Sequence, residues 1–157
     1  MLMNKDATAA QRGYSVLVDD PGFLLARVNA RQLSVVGEAL RPLGLRPRSY
    51  TILRLAATND PPMQRDLAHV LELDPSQVVT LVDDLQRAGL VERHQSEIDR
   101  RSNVIVATDL GKARLVEAAS VVTEAHSTVF AVLDTAEKDA LHDALRRITL
   151  AEWEEEE

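Results

Sequence analysis

Residues 74–89 read Asp74-Pro75-Ser76-Gln77-Val78-Val79-Thr80-Leu81-Val82-Asp83-Asp84-Leu85-Gln86-Arg87-Ala88-Gly89. Asp74 is a capping residue, Pro75 takes the first helical position, and Gln77 falls three residues after the cap, the spacing of a capping box. Val78, Leu81, Val82 and Leu85 follow at i, i+3, i+4 and i+7, one apolar stripe of an α-helix, and Gly89 closes it. Upstream, the joint Glu72–Asp74 separates this helix from a shorter one over Gln64–Leu71. Downstream the apolar period becomes that of strands: Leu90–His94, a polar stretch Gln95–Asn103, then Val104–Ala107, a hairpin with a long polar tip. Helix, short joint, capped helix and hairpin is the order of a winged helix-turn-helix.

Farther out, Asp20-Pro21 opens a long helix to about Arg41, with Leu33, Val36, Leu40 and Leu43 at helical spacing and Leu24, Leu25, Val28 and Val35 on further faces. Pro42 and Gly44 stop it. Pro47 opens a second helix through Ala57, ended by Asn59-Asp60-Pro61-Pro62. After the hairpin, Thr108 caps a long helix over Asp109–Val132 with Leu115, Val116, Ala119, Val122, Val129 and Phe130 among its apolar positions. Asp134-Thr135 opens the last helix, whose inner face is marked by Leu141, Leu145 and Ile148. The expected fold is mainly α with a small β-hairpin wing. It comprises an N-terminal segment (1–20), a winged helix-turn-helix domain (45–108), a helical dimerisation region (21–44 and 109–151) and an acidic tail (152–157). The long helices carry more apolar face than the small wing domain can cover, so they are expected to bury each other across the two-fold axis of a homodimer.

Composition agrees with a helical core. Of 157 residues, 45% are hydrophobic and 27% charged, the balance of an ordinary globular chain, and at 3% aromatic the core must be built from Leu, Val, Ile and Ala. Absence of cysteine excludes disulfides, thiolate zinc sites and thiol redox sensing, and fits a reducing cytoplasm. The N-terminus has no apolar core of signal-peptide length, and no apolar run approaches the ~20 residues that span a bilayer. The net charge of −7 would weigh against nucleic acid were it spread evenly. It is not: residues 1–108 carry thirteen basic and thirteen acidic groups, and residues 109–157 carry five basic and twelve acidic. The first two thirds are neutral, without a basic stripe.

The segment Gln64-Arg65-Asp66-Leu67-Ala68 through Leu73–Leu85, then Gly89-Leu90-Val91-Glu92-Arg93, resembles the helix-turn-helix of the MarR (multiple antibiotic resistance regulator) family. Asp99-Arg100-Arg101, the run Val104–Ala107, then Thr108 and Gly111 is similar to that family's Asp-x-Arg…Thr-x-x-Gly signature. With the flanking helices the resemblance covers about residues 20–150. It departs at the cap of the third helix, Met63 where Ser or Thr is common, at Arg46-Pro47, which opens the second helix without a hydroxyl cap, and at Thr80 and Asp84, where Arg often stands. The last leaves out the strongest major-groove reader of guanine.

The resemblance implies a transcriptional regulator that binds double-stranded DNA at a pseudo-palindromic operator, a repressor released by a small-molecule effector. Candidate DNA contacts are Gln64, Arg65, Ser76, Gln77, Val79, Thr80, Asp99, Arg100 and Arg101. Ser76 and Gln77 lie at a helix N-terminus, whose free N–H groups suit phosphate, and the Gln77 amide can pair with adenine in two places. The methyls of Val79 and Thr80 suit thymine. Asp99 can orient a guanidinium while the other arginine enters a narrow minor groove; the family favours Arg101 as its partner, and the residues alone leave the choice open. Effector contacts are sought among Phe23, Arg27 and Tyr50. The histidines have no i, i+3 or i+4 spacing among themselves, so no metal or other cofactor is expected, and no catalytic cluster is present. The rival reading is a winged-helix protein-interaction module without specific DNA binding.

Overall fold

Capping chemistry sets the helix boundaries. In the computed structural model, which describes residues 16–95 and 102–154, Asp20 accepts hydrogen bonds from the N–H groups of Gly22 (2.9 Å) and Phe23 (3.4 Å), starting α1 at Pro21. α1 (Pro21–Leu40) ends in one 3-10 turn, Arg41–Leu43, and Gly44 reverses the chain at φ 70°, where a Cβ would be strained. There follow α2 (Pro47–Ala56), α3 (Gln64–Val70), α4 (Pro75–Arg87), β1 (Val91–Gln95), β2 (Asn103–Ala107), α5 (Asp109–Val129) and α6 (Thr135–Glu154). These match the sequence reading to within a few residues. One difference is that α6 continues through Glu154, whereas the sequence predicts an acidic tail from residue 152.

Two of the caps differ from expectation in detail. The Asp74 carboxylate accepts from Ser76 N–H (2.8 Å), while Gln77 meets the cap only through its backbone N–H to Asp74 O (2.9 Å). Met63 has no hydroxyl to offer α3, but Asp66 in its first turn accepts the Met63 N–H at 3.1 Å, so half of a capping box survives without Ser or Thr. Asp134 and Glu137 form the full reciprocal box at the start of α6, each side chain accepting the other's backbone N–H at 2.9 Å.

The core of the small domain follows from the stripes. Ile52 and Leu53 of α2, Leu67 of α3, Val78 and Val82 of α4, Val91 of β1 and Ile105 of β2 are almost wholly removed from water. β1 and β2 pair antiparallel from Val91–Ala107 to Gln95–Asn103. The hairpin is tied to the front of α3, where Met63 bridges to Val104 and the Ile105 N–H donates to Pro62 O at 3.0 Å.

Thr108 and Gly111 weld the hairpin to α5. Thr108 Oγ1 accepts the Gly111 N–H (3.0 Å) and donates to Gly89 O (2.7 Å), and Thr108 N–H donates to Leu90 O (3.1 Å). Gly111 sits so close to that strand entrance that a Cβ there would lie 2.0 Å from Leu90 O. The Thr-x-x-Gly pattern thus has a packing cause: threonine both caps and ties, and glycine leaves room for a carbonyl.

α1 lies along α5, joined by a hydrogen bond of 3.1 Å between the Gln32 amide and the His126 ring, and Arg114 of α5 donates to Leu43 O. Only Val36 and Leu40 of α1 are buried. Leu24, Leu25, Val28 and Leu33 are exposed, as are Val116 of α5 and Leu145, Ile148 and Leu150 of α6. α6 makes no extensive packing with another described element of its own chain, and of the inner face that the sequence predicts for it Leu141 is half-buried while Leu145 and Ile148 are exposed within one subunit.

Candidate nucleic-acid interface

α4 turns three of its candidate readers outward. Gln77, Val79 and Thr80 are exposed, whereas Val78, Val82 and Leu85 hold the helix to the core. Thr80 donates to Ser76 O (3.1 Å), leaving its methyl and the Val79 side chain facing solvent. An exposed valine beside a polar amide is a poor solvation surface but suits the mixed methyl and hydrogen-bonding edge of A·T pairs.

Ser76 serves the fold as well as the surface. Its hydroxyl donates to Asp74 at 2.5 Å and its N–H to the same oxygen, and these two bonds hold the Asp74 carboxyl below its ordinary value of 3.8. The hydroxyl proton is therefore committed inward, and what Ser76 can offer a partner is acceptor capacity.

Gln64 and Arg65, at the front of α3, have separate settings. Arg65 is exposed and lies 3.6 Å from Asp66. Gln64 is half-buried and accepts from Arg93 Nε at 3.0 Å. Arg93, on β1, also holds Asp83 at 2.5 Å and the Gln86 side-chain carbonyl, both on α4. One guanidinium thus cross-links the strand entering the wing with both helices of the helix-turn-helix. Sequence reading missed it because its partners lie seven to twenty-nine residues away and share no local pattern.

Asp99, Arg100 and Arg101 lie outside the described residues, and the strands flanking them pair antiparallel as the expected hairpin. The effector candidates are dispersed by burial. Tyr50 belongs to the core, with the Arg54 guanidinium 5.7 Å from its ring centre, while Phe23 and Arg27 lie one turn apart on α1, half-buried and exposed respectively. None of the three lines the groove of about 380 Å³ between α5 and α6, which is walled by Thr123, His126, Phe130, Leu141, His142 and Leu145.

Among the described residues no cluster of metal-ligating side chains occurs, and no helix is long and apolar enough to cross a membrane.

A model of the MarR family matches residues 45–103. Among solved structures the chain is similar to a MarR-family transcriptional regulator from Rhodococcus sp. RHA1, with 41% identity and a TM-score of 0.80 over 84% of this chain and 94% of that one. It is equally identical, 41%, to CouR from Rhodococcus jostii RHA1 bound to p-coumaroyl-CoA, with a TM-score of 0.76 over 84% of this chain and 93% of that one. A CouR transcriptional repressor bound to a 23-mer DNA duplex is 29% identical, with a TM-score of 0.77 over 85% of this chain and 94% of that one. No match is found among curated proteins.

Proposed function

The chain belongs to the MarR family of transcriptional regulators, and from that premise we propose that it is a homodimeric repressor of a pseudo-palindromic operator, released by an acyl-coenzyme A thioester. The observation that carries the DNA half is the outward face of α4. Gln77, Val79 and Thr80 are exposed on a helix anchored on its other side. Gln77 reads adenine, Val79 and Thr80 pack on thymine methyls, Ser76 accepts at the helix start, Arg65 and Gln64 meet the backbone, and at the wing Asp99 orients one of Arg100 and Arg101 while the other enters the adjacent minor groove.

Dimerisation is supported by exposed leucine, valine and isoleucine on α1 and α6 and by the lack of extensive packing between α6 and the other described elements of its own chain. A second subunit supplies the missing cover and sets two recognition helices about one DNA turn, or ~34 Å, apart. The effector class is taken from the relative solved with p-coumaroyl-CoA. Of the effector candidates, Phe23 and Arg27 would bring a ring and a cation from α1, half-buried and exposed respectively, and Tyr50 is part of the core.

The test begins with sequencing of genomic DNA captured by the protein. Gel shifts on the recovered fragment should then show binding that Gln77→Ala impairs and that p-coumaroyl-CoA reverses. Capture of no preferred sequence would favour the protein-interaction reading. Release by free coenzyme A as readily as by the thioester would overturn the effector class.

A further inference from the structure

Between Glu38 and Asp60 the chain carries Arg41, Arg46, Arg48 and Arg54 and no carboxylate, in a protein whose net charge is −7. Arg41 lies 3.5 Å from Glu38, and Arg54 covers the Tyr50 ring. Arg46 and Arg48 are different: both are exposed, and among the described residues neither side chain has a hydrogen bond or ion pair. Asp84 shares a hollow with Arg46, but its carboxylate already holds Arg87.

The two arginines flank Pro47 at the start of α2, where the helix dipole is positive and cations are disfavoured. Among the described residues no ion pair compensates for that placement, and uncompensated breaches of a local rule concentrate at functional sites. Both line one hollow of about 470 Å³ together with Gln77, Thr80 and Leu81 of α4, Pro47 and Leu33. A helix that reads base edges in the major groove is bordered by the two sugar-phosphate strands, so cations set beside its reading face meet phosphate. Guanidinium suits that role because its planar donors engage two phosphate oxygens at once.

We propose that Arg46 and Arg48 form a phosphate clamp on the operator strand bordering α4, fixing the depth at which Gln77 and Thr80 meet the bases. The proposal rests on the DNA-binding reading above. A coenzyme A ester also carries phosphates; the hollow shared with Gln77 and Thr80 assigns the pair to DNA.

The experiment measures Kd for the captured operator and for a scrambled duplex across 50–200 mM salt. It compares the wild-type protein, the double variant Arg46→Ala/Arg48→Ala, the variant Arg46→Lys/Arg48→Lys, and Arg87→Ala, which removes half that charge, from a guanidinium paired with Asp84. The double alanine variant should lose affinity for both duplexes, keep most of its preference for the operator, and show a slope of log affinity against log salt shallower by about 3–4, at ~0.9 per phosphate contact and four arginines per dimer. Melting temperature should not fall, lysine should restore most of the slope, and Arg87→Ala should alter it far less. Unchanged affinity and slope in the double variant, with the wild type still preferring its operator, would overturn the clamp. So would weaker capture of coenzyme A with operator affinity intact. A wild type that prefers no duplex would instead overturn the DNA-binding reading itself.

Discussion

Replacing Gly111 by Ala should damage the protein although alanine is the better helix former. The new Cβ would stand 2.0 Å from Leu90 O, 2.9 Å from Leu90 C and 3.2 Å from Leu53 Cδ1. A carbon and a carbonyl oxygen in ordinary contact are more than 3 Å apart, so either α5 or the entrance to β1 must move by about 1 Å. Neither is a flexible side-chain tip. Overpacking of this kind costs about 1–3 kcal/mol. The shift also disturbs the bonds from Thr108 N–H to Leu90 O and Thr108 Oγ1 to Gly89 O, each contributing about 0.5–1.5 kcal/mol. Against this stands a gain in helix propensity of about 1 kcal/mol. The net loss is about 2–4 kcal/mol, which for a domain of this size lowers Tm by about 5–15 °C. Gly37→Ala is the matched control. Its Cβ would meet only Pro47 at 3.9 Å, an ordinary contact inside α1, so it should be neutral or stabilise by up to ~1 kcal/mol. Thermal and urea melts of both variants at one protomer concentration give the comparison. If Gly111→Ala melts at or above the wild type, the reading of the joint as a close backbone approach fails.

The remaining predictions concern other levels of the structure. Ile148→Glu together with Leu145→Glu should shift the species seen by light scattering from dimer toward monomer and lower Tm; an unaltered dimer mass would move the interface away from α6. Arg93→Ala frees Gln64, Asp83 and Gln86 at once and should cost about 1–2 kcal/mol, with weaker operator binding through a misplaced wing; normal affinity would reduce Arg93 to a surface pair. Because the Asp74 carboxyl is held below 3.8 by its bonds from Ser76, its support for α4 is present above about pH 4 and lost as pH falls through the lower folded value. Amide exchange at Ser76 should accelerate below that range in the wild type but not in Asp74→Asn, which caps without titrating. Asp99→Ala should weaken operator binding if Asp99 aims a wing arginine, whereas simple removal of a negative charge would tighten it; the sign of the change decides.

Local periodicity carried most of the fold. The stripe Val78–Leu85, the Asp-Pro starts of α1 and α4 and the change of period after Gly89 each state a backbone preference and a buried face within a few residues, and the elements stand where they point. What depends on meeting another segment was not legible. The bridge from Met63 to Val104 and the three-way grip of Arg93 join residues distant in sequence. An amphipathic α6 announces that one face will be covered, but its pattern does not name the residues that cover it. Tyr50 reads equally as a cleft residue or a core residue until the helix is set down, and it is core. Arg46 and Arg48 were hidden by scale: a window over residues 41–74 is nearly neutral because four acids from Asp60 onward offset four arginines that precede them.

The contact between Gly111 and the Leu90 carbonyl leaves no slack where α5 meets the wing domain. A joint without play turns a long helix into a crank: the two parts turn together or not at all. α5 has 21 residues, about 30 Å at 1.5 Å per residue, so a tilt of about 5° imposed at one end carries the other through almost 3 Å. In the proposed homodimer, the same displacement repeated about the two-fold axis would be enough to put two reading helices out of step with one turn of DNA. Had residue 111 carried a side chain, the joint would have needed a looser fit, and part of every such stroke would be absorbed before reaching the groove.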